Sequence, residues 1–125
     1  MKEQILSKDA PAAIGAYSQA IKKGDMIFTS GQLPIDPKNS EMVEEDIEKQ
    51  TVQVMENLKY VLEEAGSNFD QIIKTTIYLS DLNNFSKVNE IYKDYFSDVS
   101  PARSCVEVAK LPKDSLIEIE VIAFE

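Results

Sequence analysis

The sequence predicts an α+β domain in which two amphipathic helices cover one face of a mixed β-sheet. Three observations carry this expectation: two segments space their apolar residues three and four apart, five or six short runs are rich in β-branched residues, and the last run alternates between two faces. With 125 residues the chain suits a single domain, residues 1–125, and its 43% apolar content is enough for a core.

Taken in order, the N-terminal segment mixes Pro11, Gly15 and small residues. Two β-prone runs follow, Tyr17 to Ile21 and Met26 to Ser30, joined by the turn Lys23-Gly24-Asp25. The stretch from Gln32 to Met42 holds Pro34, Pro37, Asn39 and Ser40 and is expected to be a loop. A helix is expected from about Glu45 to Ala65, because Ile47, Thr51, Val54, Met55, Leu58, Val61, Leu62 and Ala65 form one stripe and Gly66 follows it. Ile72 to Leu79 is β-branched and predicts a strand. A second helix is expected from Phe85 to Phe96, with Ser100-Pro101 ending the pattern, and two strands follow, Arg103 to Ala109 and Leu116 to Phe124.

The charge balance narrows the partners. Against 22 acidic residues stand 13 basic ones, a net of −9, and the basic residues are scattered. Nucleic acid and anionic membrane surfaces are bound by clustered Lys and Arg, so neither is an expected partner. No apolar run approaches the ~20 residues that span a bilayer, and the first residues lead into no signal-peptide core, so a cytoplasmic protein is expected. The chain has no histidine and one cysteine, Cys105. A Ser-His or Cys-His pair, a His-ligated metal, a thiolate zinc site and an intrachain disulfide are all excluded within it. Carboxylates, Arg or Lys, hydroxyls and backbone groups are left to do any chemistry.

In the final strand Ile117, Ile119, Val121 and Ala123 point one way, and Glu118, Glu120, Ile122 and Phe124 the other. The second set is neither a clean core nor a clean solvent face. It suits a subunit interface with polar pockets; a solvated face with a few stray apolar residues is the alternative.

Pro101-Ala102-Arg103-Ser104-Cys105-Val106-Glu107-Val108-Ala109-Lys110-Leu111-Pro112-Lys113-Asp114, with Ile117-Glu118-Ile119-Glu120 after it, resembles the C-terminal signature of the Rid family, the YjgF-type reactive-intermediate deaminases. Ala10 to Ala20, Thr29-Ser30-Gly31-Gln32-Leu33-Pro34, and Lys74-Thr75-Thr76-Ile77 with Asp81-Leu82-Asn83 are similar to further family motifs in the same order. Ala16 departs from the pattern, standing where many relatives have proline before the tyrosine. The resemblance implies a fold like that of Bacillus chorismate mutase, a homotrimeric barrel with helices outside and active sites between subunits. It implies hydrolysis of 2-imino acids, such as 2-iminopropanoate and 2-iminobutanoate, to 2-oxo acids and ammonia, with no metal or organic cofactor.

The residues fit such chemistry. Arg103 supplies the planar fork that pairs with a carboxylate, although a lone Arg at a strand start is ordinarily a surface ion pair. By resemblance, Ser30 and the backbone near Gly31 help place the ligand, Tyr17 lines the pocket and Asn89 lies near the site. Glu118 is the candidate for orienting water and moving protons, provided its pKa is raised. Glu120 shares its face and reads as a rim charge. Cys105 lies two residues from Arg103 on the same strand face, and with no histidine to activate it, it is expected to pack in the cleft rather than attack. The alternative function is a non-catalytic regulator that binds a metabolite in the same cleft.

Overall fold

The computed structural model describes residues 1–125. In chain order its elements are β1 (Glu3–Ile5), β2 (Ala20–Lys23), β3 (Met26–Thr29), β4 (Ile35–Asp36), β5 (Glu41–Met42), α1 (Ile47–Glu64), β6 (Ile72–Leu79), α2 (Phe85–Tyr92), β7 (Ala102–Glu107) and β8 (Ile117–Phe124). Six strands form one sheet in the order β1-β2-β3-β8-β6-β7, antiparallel except for the parallel pair β6 and β7 that flanks α2 in sequence. The α+β expectation therefore holds: a mixed sheet carries two helices. No helix is long and apolar enough to cross a membrane.

The core lies between helices and sheet. Asp46 caps α1, its carboxylate accepting the Lys49 amide at 2.9 Å. The stripe from Ile47 to Leu62 is buried as its spacing predicts, and it packs on Ile117, Ile119, Val121 and Ala123, all buried, which alternate along β8. From β6, Thr75, Ile77 and Leu79 face the same side. Two buried amides on α1 then fix the chain around the sheet. Gln50 accepts the Leu116 amide at 2.9 Å, and Asn57 donates to the carbonyls of Leu33 and Ile35 at 3.0 and 2.9 Å. The segments they hold are the entry to β8 and the run after Gly31.

Four expectations need correction. Tyr17 is not in a strand: β2 starts at Ala20, because the Gln19 side chain instead bonds Ser7 and the Pro11 carbonyl and holds the preceding residues in the N-terminal loop. The loop from Gln32 to Met42 contains the short hairpin of β4 and β5, turned by Ser40 at φ 61. The second helix stops at Tyr92 and tightens into a 3-10 turn over Lys93–Tyr95. β1 was not expected; three residues carry too little alternation to mark a strand, and pairing with β2 makes one.

The sheet face away from the helices is open in the single chain. Phe28, Phe124 and Val106 are 45%, 38% and 43% exposed, too much for a finished core. They share that face with Tyr78, Glu118 and Glu120. The mixed polar and apolar face expected from β8 is therefore present.

Candidate active site

Arg103 stands opposite Thr75 in the β6–β7 register, and Cys105 opposite Ile77. Partners in register point to one face, and Thr75 and Ile77 are buried under the helices, so Arg103 and Cys105 rise on the helix side. There α2 meets the guanidinium with residues on one face. Its carbon lies 5.0 Å from the Phe85 ring centre and 5.1 Å from that of Tyr92, and Nη1 donates to Asn89 Oδ1 at 2.8 Å. Arg103 is the only arginine in a chain with 22 acidic residues, yet none of the four ion pairs includes it. Open cavities of about 590 and 410 Å³ flank it, the first walled by Leu82, Phe85 and Cys105, the second by Asn89, Tyr92 and Ser100. Burial pushes the Cys105 thiol up, against the opposing pull of Arg103, so it stays protonated at neutral pH.

Glu118 occupies the other side of the sheet. It pairs with Tyr78, whose side chain alternates away from the buried Ile77 and Leu79. The backbone beside it is pinned by Gln32, which exchanges hydrogen bonds with Ile119 at 2.8 and 3.3 Å. Gly31 leaves the space beside it to the Glu118 side chain. A Cβ on it would overlap the Glu118 carboxylate, lying 2.6 Å from Cδ and 2.9 Å from Cγ. Ser30 donates its amide to the Gln19 carbonyl at 2.9 Å and its hydroxyl to the Ser18 carbonyl at 2.6 Å, which ties the Tyr17 loop to the same place. Tyr17, Ser30, Gly31, Lys113 and Glu118 line one cavity of about 500 Å³. Burial, then the negative charge of Glu120, raise the Glu118 carboxyl above the usual carboxylate range.

The single chain thus makes two clusters. Arg103, Asn89 and Cys105 come together on the helix side; Tyr17, Ser30, Gly31 and Glu118 come together on the other. It does not bring Arg103 and Glu118 to one cavity. Sequence reasoning missed Phe85 and Tyr92 as neighbours of Arg103, although both lie in the segment expected to be the second amphipathic helix. It also missed the backbone at the rim of the Glu118 cavity. The three non-glycine residues with positive φ are Ser40, Lys113 and Asp114, and Ser40 and Lys113 line that cavity.

Fold and motifs together define a family. The chain belongs to the endoribonuclease L-PSP family, the group that includes the YjgF/Rid proteins, whose family model matches residues 7–125. Among its relatives, a RutC family protein of Pyrococcus horikoshii is 55% identical, covering 100% of this chain and 99% of the relative. A protein of Salmonella typhimurium named 2-iminobutanoate/2-iminopropanoate deaminase is 49% identical, covering 98% of each. Among solved structures, a Yersinia pestis protein of the conserved Rid family, of unknown function, superposes with a TM-score of 0.99 at 53% identity over 100% of both chains.

Proposed function

We propose that this protein hydrolyses small 2-imino acids to 2-oxo acids and ammonia, in sites shared between subunits of a homotrimer. The observation that carries the reading is the sole arginine, set within 5.1 Å of two ring centres and hydrogen-bonded to Asn89, with no carboxylate of its own chain as partner. Such a fork is prepared for a ligand's carboxylate. The 2-iminobutanoate/2-iminopropanoate deaminase of Salmonella typhimurium, alike at 49% identity, supplies the substrate class. The trimer supplies the missing contact: a neighbouring copy sets its Glu118 cavity against this Arg103.

The reaction needs little from the protein. Arg103 anchors the carboxylate and so fixes the C=N carbon. Glu118 takes a proton from water as the oxygen bonds to that carbon, the C=N π pair moves to nitrogen, and Glu118 hands that proton to the nitrogen, then carries the carbinolamine hydroxyl proton to it as the C–N bond breaks. The carbinolamine then expels ammonia and leaves the 2-oxo acid. A carboxyl whose pKa is raised serves as base and then as acid, which the burial of Glu118 favours. Ser30, Gly31 and Tyr17 shape the cavity around it, and Cys105 fills space as a neutral thiol. The endoribonuclease of the family's description is disfavoured by the net charge of −9 and the lack of a basic stripe.

Threonine dehydratase supplied with threonine releases the enamine and imine continuously, and the 2-oxo acid is followed by absorbance. This protein is expected to speed that appearance. Arg103→Ala is expected to abolish the acceleration while leaving the oligomer intact by sedimentation. An unchanged rate with the unaltered protein, or full activity in Arg103→Ala, would refute the proposal. Binding of 2-oxobutanoate without turnover would point instead to a metabolite-sensing role.

A further inference from the structure

We propose that Phe85 and Tyr92 are positioning residues for Arg103, holding its guanidinium at a fixed angle so that its free edge meets a carboxylate. The inference rests on the reading of Arg103 as the carboxylate anchor.

The argument begins on α2. Phe85, Asn89 and Tyr92 are four and three residues apart, so one helix face presents ring, amide and ring in a row. The guanidinium lies against all three: 5.0 Å from one ring centre, 5.1 Å from the other, with Asn89 taking a hydrogen of Nη1 at 2.8 Å. The bond to Asn89 is the one hydrogen bond the guanidinium makes, which leaves its other N–H donors unspent.

The cradle is itself fixed. The Tyr92 hydroxyl and Thr75 Oγ1 share a buried hydrogen bond of 2.8 Å. Thr75 is the residue opposite Arg103 across the β6–β7 ladder. Contacts therefore close a loop: strand β7 carries Arg103, Arg103 rests on Tyr92, Tyr92 is held by Thr75, and Thr75 pairs with the Arg103 backbone position. Phe96 packs on Tyr92, its ring centre 4.8 Å from that of Tyr92. Arginine is a flexible side chain that loses rotamer freedom when a ligand orders it. A guanidinium already ordered by this cradle has less to lose, and the benefit falls on substrate affinity.

The test compares variants in the dehydratase-coupled assay and measures 2-oxobutanoate binding by calorimetry. Phe85 is only partly buried, so Phe85→Leu is expected to fold. It should raise KM and the 2-oxobutanoate Kd about two- to fivefold, with a smaller change in kcat. Phe85→Tyr should recover both constants. Tyr92→Leu should weaken binding in the same way, and Tyr92→Phe, which keeps the ring, should recover most of the loss. If Phe85→Leu leaves KM and Kd unchanged while Arg103→Ala abolishes binding, the positioning role is wrong although the anchor stands. Failure of Phe85→Tyr to recover the constants overturns it equally. If Arg103→Ala binds 2-oxobutanoate normally, the anchor reading fails and this inference with it.

Discussion

Gly31→Ala is the most direct probe of Glu118, because it adds one methyl group and removes no functional atom. The added carbon would lie 2.6 Å from Glu118 Cδ and 2.9 Å from Cγ, far inside contact distance. The Gly31 backbone cannot retreat, since Gln32 next to it is bonded to Ile119 in both directions. Glu118 must therefore swing away. The atoms it meets are the end of a flexible, half-buried side chain, so the move itself costs little stability, about 0.5 kcal/mol or less. On the proposed mechanism the displaced carboxyl also stops serving as acid and base, a contribution of about 10²–10⁴ in rate. Activity is read in the dehydratase-coupled assay and stability by denaturant titration at fixed protein concentration. The double variant separates cause from coincidence. With Glu118→Ala in place the overlap is gone, so Gly31→Ala should then cost little stability and no further activity. A Gly31→Ala protein that keeps full activity, or one that loses as much activity again in the Glu118→Ala background, would refute the close approach of these two residues.

The raised pKa of Glu118 has a stability consequence of definite sign. A carboxyl raised by burial and by Glu120 binds its proton more tightly folded than unfolded, so its contribution to stability is present below the usual carboxylate range and lost as pH rises through the raised value. In an Arg103→Ala background, which removes the cation that the proposed trimer sets against it, Glu118→Gln should therefore shift the denaturation midpoint upward at pH 7 and leave it nearly unchanged at pH 3.5; a loss of stability at pH 7 in that background would contradict this. Cys105→Ala should lower kcat/KM by no more than a few-fold, since a thiol raised by burial is a poor nucleophile. Complete loss of activity in a folded Cys105→Ala protein would restore the nucleophile.

The parts of the fold most legible in the sequence are those set by local periodicity. The buried stripe of α1 and the alternation of β8 each bury one side, and a pattern that repeats over 18 or 8 residues survives any tertiary detail. β1 and the hairpin of β4 and β5 were not legible, because two or three residues are too few to show alternation and become strands only by pairing, β1 with β2 and β4 with β5. Tyr17 failed for a related reason: its β-prone neighbours are overruled by the buried side chain of Gln19, which binds the N-terminal segment. The candidate site residues come from motif resemblance, whereas their geometry depends on packing. Phe85 and Tyr92 carry no mark that separates a ring under a guanidinium from a ring in the core.

Motif resemblance implies sites between subunits, and the placement of Arg103 and Glu118 on opposite faces of one sheet assigns these two residues to different copies. On the proposed trimer each site takes Arg103 from one copy and Glu118 from the next, a head-to-tail arrangement that closes as a ring. Arg103→Ala and Glu118→Ala should each be inactive as pure proteins. When equal amounts are unfolded together and reassembled, a site regains both residues only if its arginine comes from a Glu118→Ala chain and its glutamate from an Arg103→Ala chain. Random assembly gives each condition a chance of about one half, so about one quarter of the sites should work. Co-refolded mixtures should therefore approach a quarter of the unaltered protein's activity, with the maximum at equal proportions and none in mixtures never unfolded. A site built within one chain would give no recovery at any ratio. That outcome would require the sheet to be bridged from one face to the other inside a single subunit, which the burial of Thr75, Ile77, Ile117 and Ile119 between those faces and the helices opposes.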